Sequence, residues 1–158
     1  MVHLTPMTEA EFQAFLKPAI EEYGQEHVKA GHWRAEEATE KSSEEFRQLL
    51  PDGLATPDQH LYAIKDDRDT NVGMLWFAVT ERGGKRGAFV YDVQIYEQFQ
   101  RRGYATLAFQ ALEELARDMG LAAISLHVFG HNTAARALYE KLGFVTKNVF
   151  MAKTIGEE

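Results

Sequence analysis

The chain of 158 residues contains no cysteine. That excludes disulfides, thiolate metal ligands and any covalent intermediate on a thiol of its own. Proline and glycine are sparse, at four and twelve residues, which rules out a collagen-like or low-complexity chain. Positive charge is also short: 17 Lys and Arg face 24 Asp and Glu, for a formal net charge of −7. Such a chain is poorly suited to neutralising phosphates, so no nucleic-acid partner is expected, and a cationic partner fits better. Long apolar runs are missing. The longest stretch free of Asp, Glu, Lys and Arg, residues 119–135, includes Ser125, His127, His131, Asn132 and two glycines. It falls short of the ~20 apolar residues of a membrane span. The first residues, MVHLTPMTEAEF, lack a basic stretch followed by an apolar one, so a cytoplasmic location without a membrane partner is expected. There is no Gly-x-Ser-x-Gly element, and no His, Asp and Glu cluster has metal-ligand spacing, so no metal site is expected.

What is present is ordinary for a globular domain: 45% apolar and 26% charged residues, in a length suited to one domain over residues 1–158. Residues 2–4 read as a short edge strand. Thr8 and Glu11 form a capping-box pattern that starts a helix with Phe12, Phe15 and Leu16 on one face, and Pro18 predicts a kink or restart. Ile20, Tyr23, His27 and Val28 continue at helical spacing toward Gly31. A second helix is predicted over residues 35–50, stopped by Pro51, Asp52 and Gly53. The grammar then changes. Residues 60–65 (HLYAIK), 72–80 (VGMLWFAVT) and 88–96 (AFVYDVQIY) read as strands, with a hairpin turn at 82–87. Apolar residues from Tyr104 to Met119 recur every three or four positions, which predicts a helix ended by Gly120. Residues 122–129 form another strand, Asn132 caps a helix to Leu142, and residues 144–145 and 148–153 predict a closing pair of strands. This order predicts an α/β (α+β-like) domain, a mixed sheet with helices on both faces.

The segment that carries chemistry is strand, short loop, helix. Gln100, Arg101, Arg102, Gly103, Tyr104, Ala105 and Thr106 end the loop and open the helix. A helix N-terminus has unpaired amides and a positive dipole end, Gly103 lets a ligand approach the backbone, Ala105 leaves the first turn uncluttered, and two arginines add charge. Together they suit a pyrophosphate. The pattern is neither the Walker loop nor the dinucleotide fingerprint.

About thirty residues later, Asn132, Ala135, Tyr139 and Gly143-Phe144 follow a second strand. With these two segments the chain resembles the GNAT superfamily of acetyl-coenzyme-A-dependent N-acetyltransferases. The family pattern is Q/R-x-x-G-x-G/A, here Gln100, Gly103 and Ala105, followed by an Asn-x-x-Ala helix start, a Tyr and a Gly-Phe. The match is strong over residues 91–144; the N-terminal half agrees in its order of elements. The resemblance implies the GNAT fold, a mostly antiparallel mixed sheet whose fourth and fifth strands splay apart. It also implies acetyl-CoA as co-substrate and direct attack of an amine on the thioester.

Carried over residue by residue, the resemblance places Val93, Gln94 and Ile95 against the pantetheine. The amides from Gln100 to Thr106 would hold the pyrophosphate. Asn132 and Ala135 would meet the pantetheine arm, and Tyr139 would sit near the sulfur as general acid. Asn132 and Tyr139 are two helical turns apart and so share a face. His127 stands where some relatives carry a catalytic glutamate, and is the expected base. Phe89 and Tyr91 stand where other relatives carry a basic residue, which leaves water-mediated deprotonation open. Tyr23, His27 and Trp33 lie in the region that shapes the acceptor site in the family. The acceptor implied is a small-molecule amine or a peptide N-terminus, and a homodimer is implied because family members often dimerise. Two other readings are a non-catalytic acyl-CoA-binding or regulatory module on the same fold, and a nucleotide at the pyrophosphate cradle. The second leaves Asn132 and Tyr139 unexplained.

Overall fold

The computed structural model describes residues 1–156, so the last two residues of the expected domain lie outside the described part. Five strands form one sheet in the order β1 (His3–Pro6), β2 (Gln59–Lys65), β3 (Asn71–Arg82), β4 (Lys85–Ile95), β5 (Ile124–Leu126). The first three pairings are antiparallel and β4–β5 is parallel. Helices α1 (Glu9–Lys29) and α2 (Ala38–Leu49) precede β2; α3 (Tyr104–Asp118) joins β4 to β5, and α4 (Thr133–Lys141) follows β5. This is the mixed sheet expected from the sequence, with helices on both faces.

The two faces follow from the pleat. Met74 and Trp76 of β3 join Phe12, Phe15 and Ala19 of α1 and Phe46 of α2 in one apolar cluster. Leu75 and Phe77, the alternate residues, join Ala108, Phe109, Leu112 and Ala116 of α3 in the other. Period two in the strand thus divides the core. Every residue from Val72 to Ala78 is buried, as a strand covered on both faces requires.

α1 begins as its sequence predicts. Thr8 Oγ1 accepts from the Glu11 amide at 3.1 Å, and Glu11 accepts from the Thr8 amide at 2.9 Å. The expected break at Pro18 does not occur: α1 runs through it. Its buried face, with Phe15 and Ala19 on either side of Pro18, outweighs the ~3 kcal/mol an internal proline costs a helix. Two further expectations are corrected. The predicted strand at 122–129 shrinks to three residues, and residues 143–156 form no strand at all. The closing pair rests on local apolar character alone, whereas a strand needs a neighbour to bond to.

Two bulges bend the sheet. Lys65 pairs with Asn71 and Ile64 with Gly73, which leaves Val72 as an extra residue. Trp76 pairs with Asp92 and Phe77 with Val90, which leaves Tyr91 extra in β4. A bulge turns its strand and sharpens the twist. β5 pairs with β4 only from Ala88 to Val90, so the pairing stops where the bulge begins.

Candidate active site

The site is built on that divergence. Val93, Gln94 and Ile95 stay bonded to β3 on one side, opposite Leu75, Met74 and Gly73, and have no β5 partner on the other. Their edge is open. A cleft of about 430 Å³ runs along it, lined by Val93, Gln94, Ile95, Tyr96, Glu97 and Gln100, with Glu22 of α1 on its far wall.

At the end of the cleft the chain turns into α3. Gln100 folds back, its amide nitrogen donating to the Ile95 carbonyl at 3.0 Å. Arg101 and Gly103 both take left-handed backbone angles, with φ +67° and +80°. Arg102 lies over the Phe99 ring at 5.7 Å from its centre. No side chain caps α3. The Leu107 amide is bonded to the Gly103 carbonyl, whereas the amides of the first turn before it have no helical acceptor. A Cβ added to Gly103 would meet nothing of the chain within 4 Å. The space above this glycine is therefore open to a ligand. These features fit the pyrophosphate of acetyl-CoA: unpaired amides, a positive helix end, two guanidinium groups and room for close approach.

Across the gap, Asn132 caps α4, its side-chain oxygen accepting from the Ala135 amide at 3.2 Å. That oxygen is committed to the helix, and the cap fixes how α4 starts. Tyr139, two turns on, is half-buried. Its ring meets Phe109 and Phe144 edge-on, each at 5.7 Å between centres. Burial, then the nearby Asp92 carboxylate, raise the Tyr139 phenol above its ordinary value. It therefore keeps its proton at neutral pH.

Asp92 is the residue that sequence reasoning left without a role. Its carboxylate accepts from the Gln94 amide nitrogen at 3.1 Å. Gln94 also donates to Glu22 at 3.4 Å. Register with Trp76 puts Asp92 on the α1–α2 face of the sheet, whereas Tyr139 packs with Phe109 on the α3 face. Burial, with the Glu22 charge adding to it, pushes the Asp92 carboxyl up to about 7. The signal was present as a lone carboxylate inside the apolar run AFVYDVQIY.

His127 lies just beyond β5, exposed, its ring edge-on to Phe129 at 5.2 Å. Phe129 is the hub of an aromatic cluster at the end of α1. It meets His27 at 5.1 Å, His32 at 5.9 Å and His131 at 5.6 Å. His27 stacks on Trp33 at 4.0 Å, and Tyr23 lies edge-on to both. Tyr23 donates to Glu45 at 2.9 Å; burial, then that partner, raises its phenol. His27 Nδ1 is 2.9 Å from His32 Nδ1, and its buried Nε2 has no partner. Burial holds the His27 imidazole below its ordinary value. The structure thus brings Tyr23, His27 and Trp33 together with His127, although they are far apart in sequence. Neither Phe129 nor the contact of His131 with Glu26 was legible beforehand.

Comparison with known proteins identifies the family. Residues 21–144 match the acetyltransferase (GNAT) family. The chain is 42% identical over 154 residues to YycN of Bacillus subtilis (strain 168), named an uncharacterized N-acetyltransferase, covering 98% of this chain and 99% of that protein. A second such protein of that organism, YdgE, is 34% identical over 96% of this chain and 97% of its own length. The crystal structure of YycN superposes with a TM-score of 0.94, covering 99% of this chain and 100% of that one. The chain belongs to the GNAT family of acetyltransferases, enzymes that draw on acetyl-CoA. Among the described residues no helix is long and apolar enough to cross a membrane, and no three His, Asp or Glu side chains are grouped to hold a metal.

Proposed function

We propose that residues 1–158 form one N-acetyltransferase domain that moves an acetyl group from acetyl-CoA to a primary amine by direct attack. One observation carries the reading: β4 is left unpaired at Val93, Gln94 and Ile95, with the Tyr139 phenol on the α3 face of the sheet there and the Asp92 carboxyl on the α1–α2 face. Acetyl-CoA supplies the activated thioester. The amides from Gln100 to Thr106, with Arg101 and Arg102, hold the pyrophosphate. The open edge at Val93, Gln94 and Ile95 pairs with pantetheine amides, and Asn132 and Ala135 border that arm.

An ammonium of pKa near ~10 must lose a proton before it attacks. Of the two candidates for this step, His127 and Asp92, we assign it to Asp92. Its pKa lies near working pH, where general bases are most effective. The Tyr139 hydroxyl holds the proton that the departing thiolate needs. Tyr23, His27 and Trp33 contact the acceptor, and their rings with Glu45 suit a small cationic amine or a peptide N-terminus.

Titration calorimetry with acetyl-CoA, beside ATP and NAD, tests the cofactor. Selective acetyl-CoA binding is expected; preference for a nucleotide removes the reading. Tyr139→Phe is expected to lower kcat ~100-fold with little change in acetyl-CoA affinity. The acidic limb of the kcat/KM profile separates the two bases. It is expected to vanish in Asp92→Asn and persist in His127→Ala. The reverse outcome assigns the step to His127.

A further inference from the structure

The pleat separates the backbone of Gln94 from its side chain. The backbone is bonded to β3 on one side and faces the β4–β5 gap on the other. The side chain stands roughly perpendicular to the sheet. Register sets its direction. Gln94 lies opposite Met74 and Asp92 opposite Trp76, and both partners belong to the cluster under α1 and α2. Residues two apart on a strand share a face. The Gln94 amide and the Asp92 carboxyl therefore stand side by side, toward α1. The backbone beneath them is held closely, since a Cβ on Gly73 would lie 2.1 Å from the Gln94 carbonyl oxygen.

The side-chain nitrogen of Gln94 has two hydrogens and two acceptors. It donates to Asp92 at 3.1 Å and to Glu22 of α1 at 3.4 Å. Glu22 follows Phe15 and Ala19 by seven and three residues, which puts it on the stripe of α1 that meets the sheet. Among the described residues, Gln94 is the only side chain that donates to Asp92. The Val93 amide is the other donor beside it. The titratable groups around Asp92 are Glu22 from α1 and, across the sheet, the Tyr139 phenol from α4. Trp76 opposite it on β3 does not titrate.

We propose that Gln94 is a positioning residue for proton transfer: its side-chain amide fixes the orientation in which the Asp92 carboxyl receives the acceptor's proton, and ties that orientation to α1 through Glu22. The proposal rests on the assignment of the base step to Asp92. It gives one residue two separate duties, the backbone edge for the pantetheine arm and the side chain for the base. It also makes the base answer to α1. The Glu22 charge opposes ionisation of Asp92, whereas the bond from Gln94 favours it. Removing one and removing the other therefore move the base in opposite directions.

Carbon-13 NMR of the full chain, labelled at its aspartate carboxyls, reads the Asp92 titration midpoint without any acceptor; Asp92→Asn identifies the resonance. Gln94→Met keeps the length of the side chain and removes both donors. It is expected to raise the midpoint by about one unit, the scale of a hydrogen bond to a charged group. Glu22→Gln is expected to lower it. The acidic limb of the kcat/KM profile, with spermidine as acceptor, is expected to move the same way in each variant, with acetyl-CoA affinity unchanged by calorimetry. A midpoint that moves in neither variant overturns the proposal and leaves Asp92 as the base. Shifts in the same direction in both mean that Gln94 only packs α1 against β4, and overturn it as well. A midpoint that moves while the limb stays in place overturns the base assignment, and the proposal with it.

Discussion

The β3–β4 ladder and the β4–β5 gap share one strand and use it in opposite ways. Against β3, β4 is packed so closely that a Cβ on Gly73 would lie 2.1 Å from the Gln94 carbonyl oxygen. At the far end of the gap, a Cβ on Gly103 would meet nothing of the chain. Gly73 is fitted to the protein's own backbone, and Gly103 faces open space, where the function proposed above puts the pyrophosphate. One side of β4 holds the fold together, and its other side is left unpaired beyond Val90. The Tyr91 bulge separates the two regimes.

Substitutions at the two glycines break this contrast most directly. Gly73→Ala forces strand against strand and is expected to cost ~3 kcal/mol or more, read as a loss in the urea midpoint. Gly103→Ala pays only the left-handed backbone, ~1 kcal/mol of stability, but is expected to weaken acetyl-CoA binding at least tenfold by calorimetry. Equal stability losses at both sites would erase the distinction.

Asp92 sharpens it next. Its folded pKa is raised above the unfolded value, so the folded state holds the proton more tightly. Folding stability from this group therefore falls as pH rises from about 4 to about 7. Asp92→Asn is expected to raise stability at pH 7 by ~1–2 kcal/mol while lowering activity, a trade common at active sites. Melting curves at pH 5 and pH 8 check the sign: the gain appears at pH 8 and shrinks at pH 5.

The smallest effect lies far from the gap. Glu11 is held below its ordinary value, first by the Thr8 amide and then by Lys65, 3.1 Å away. A depressed acid stabilises above its unfolded pKa, and that contribution is lost as pH falls through the folded one. Thr8→Ala is expected to cost ~1 kcal/mol by removing half of the capping box. Its melting temperature is expected to fall without any change in kcat.

Some of this was written locally. The capping box at Thr8 and Glu11, the cap at Asn132, and the glycine turn that opens α3 at Gly103 each span a few residues. Their physics, orphan amides at helix ends, acts over that same distance. A sequence states such features in full. The apolar run of β3 likewise declared a strand buried on both faces.

Tertiary structure decided the rest, because the interactions involved join residues with no local relation. Pro18 predicts a break, yet packing of α1 on Trp76 carries the helix through. Asp92 is an ordinary carboxylate until the sheet buries it beside Glu22. Phe129 and His131 gain meaning only when β5 is brought against the end of α1. Residues 148–153 have the composition of a strand but no partner within the chain. Composition and spacing marked most of the helices and strands, and the closing strands were the exception. Long-range pairing alone decided where the sheet opens and what titrates beside the opening, since burial and neighbouring charge belong to the folded chain.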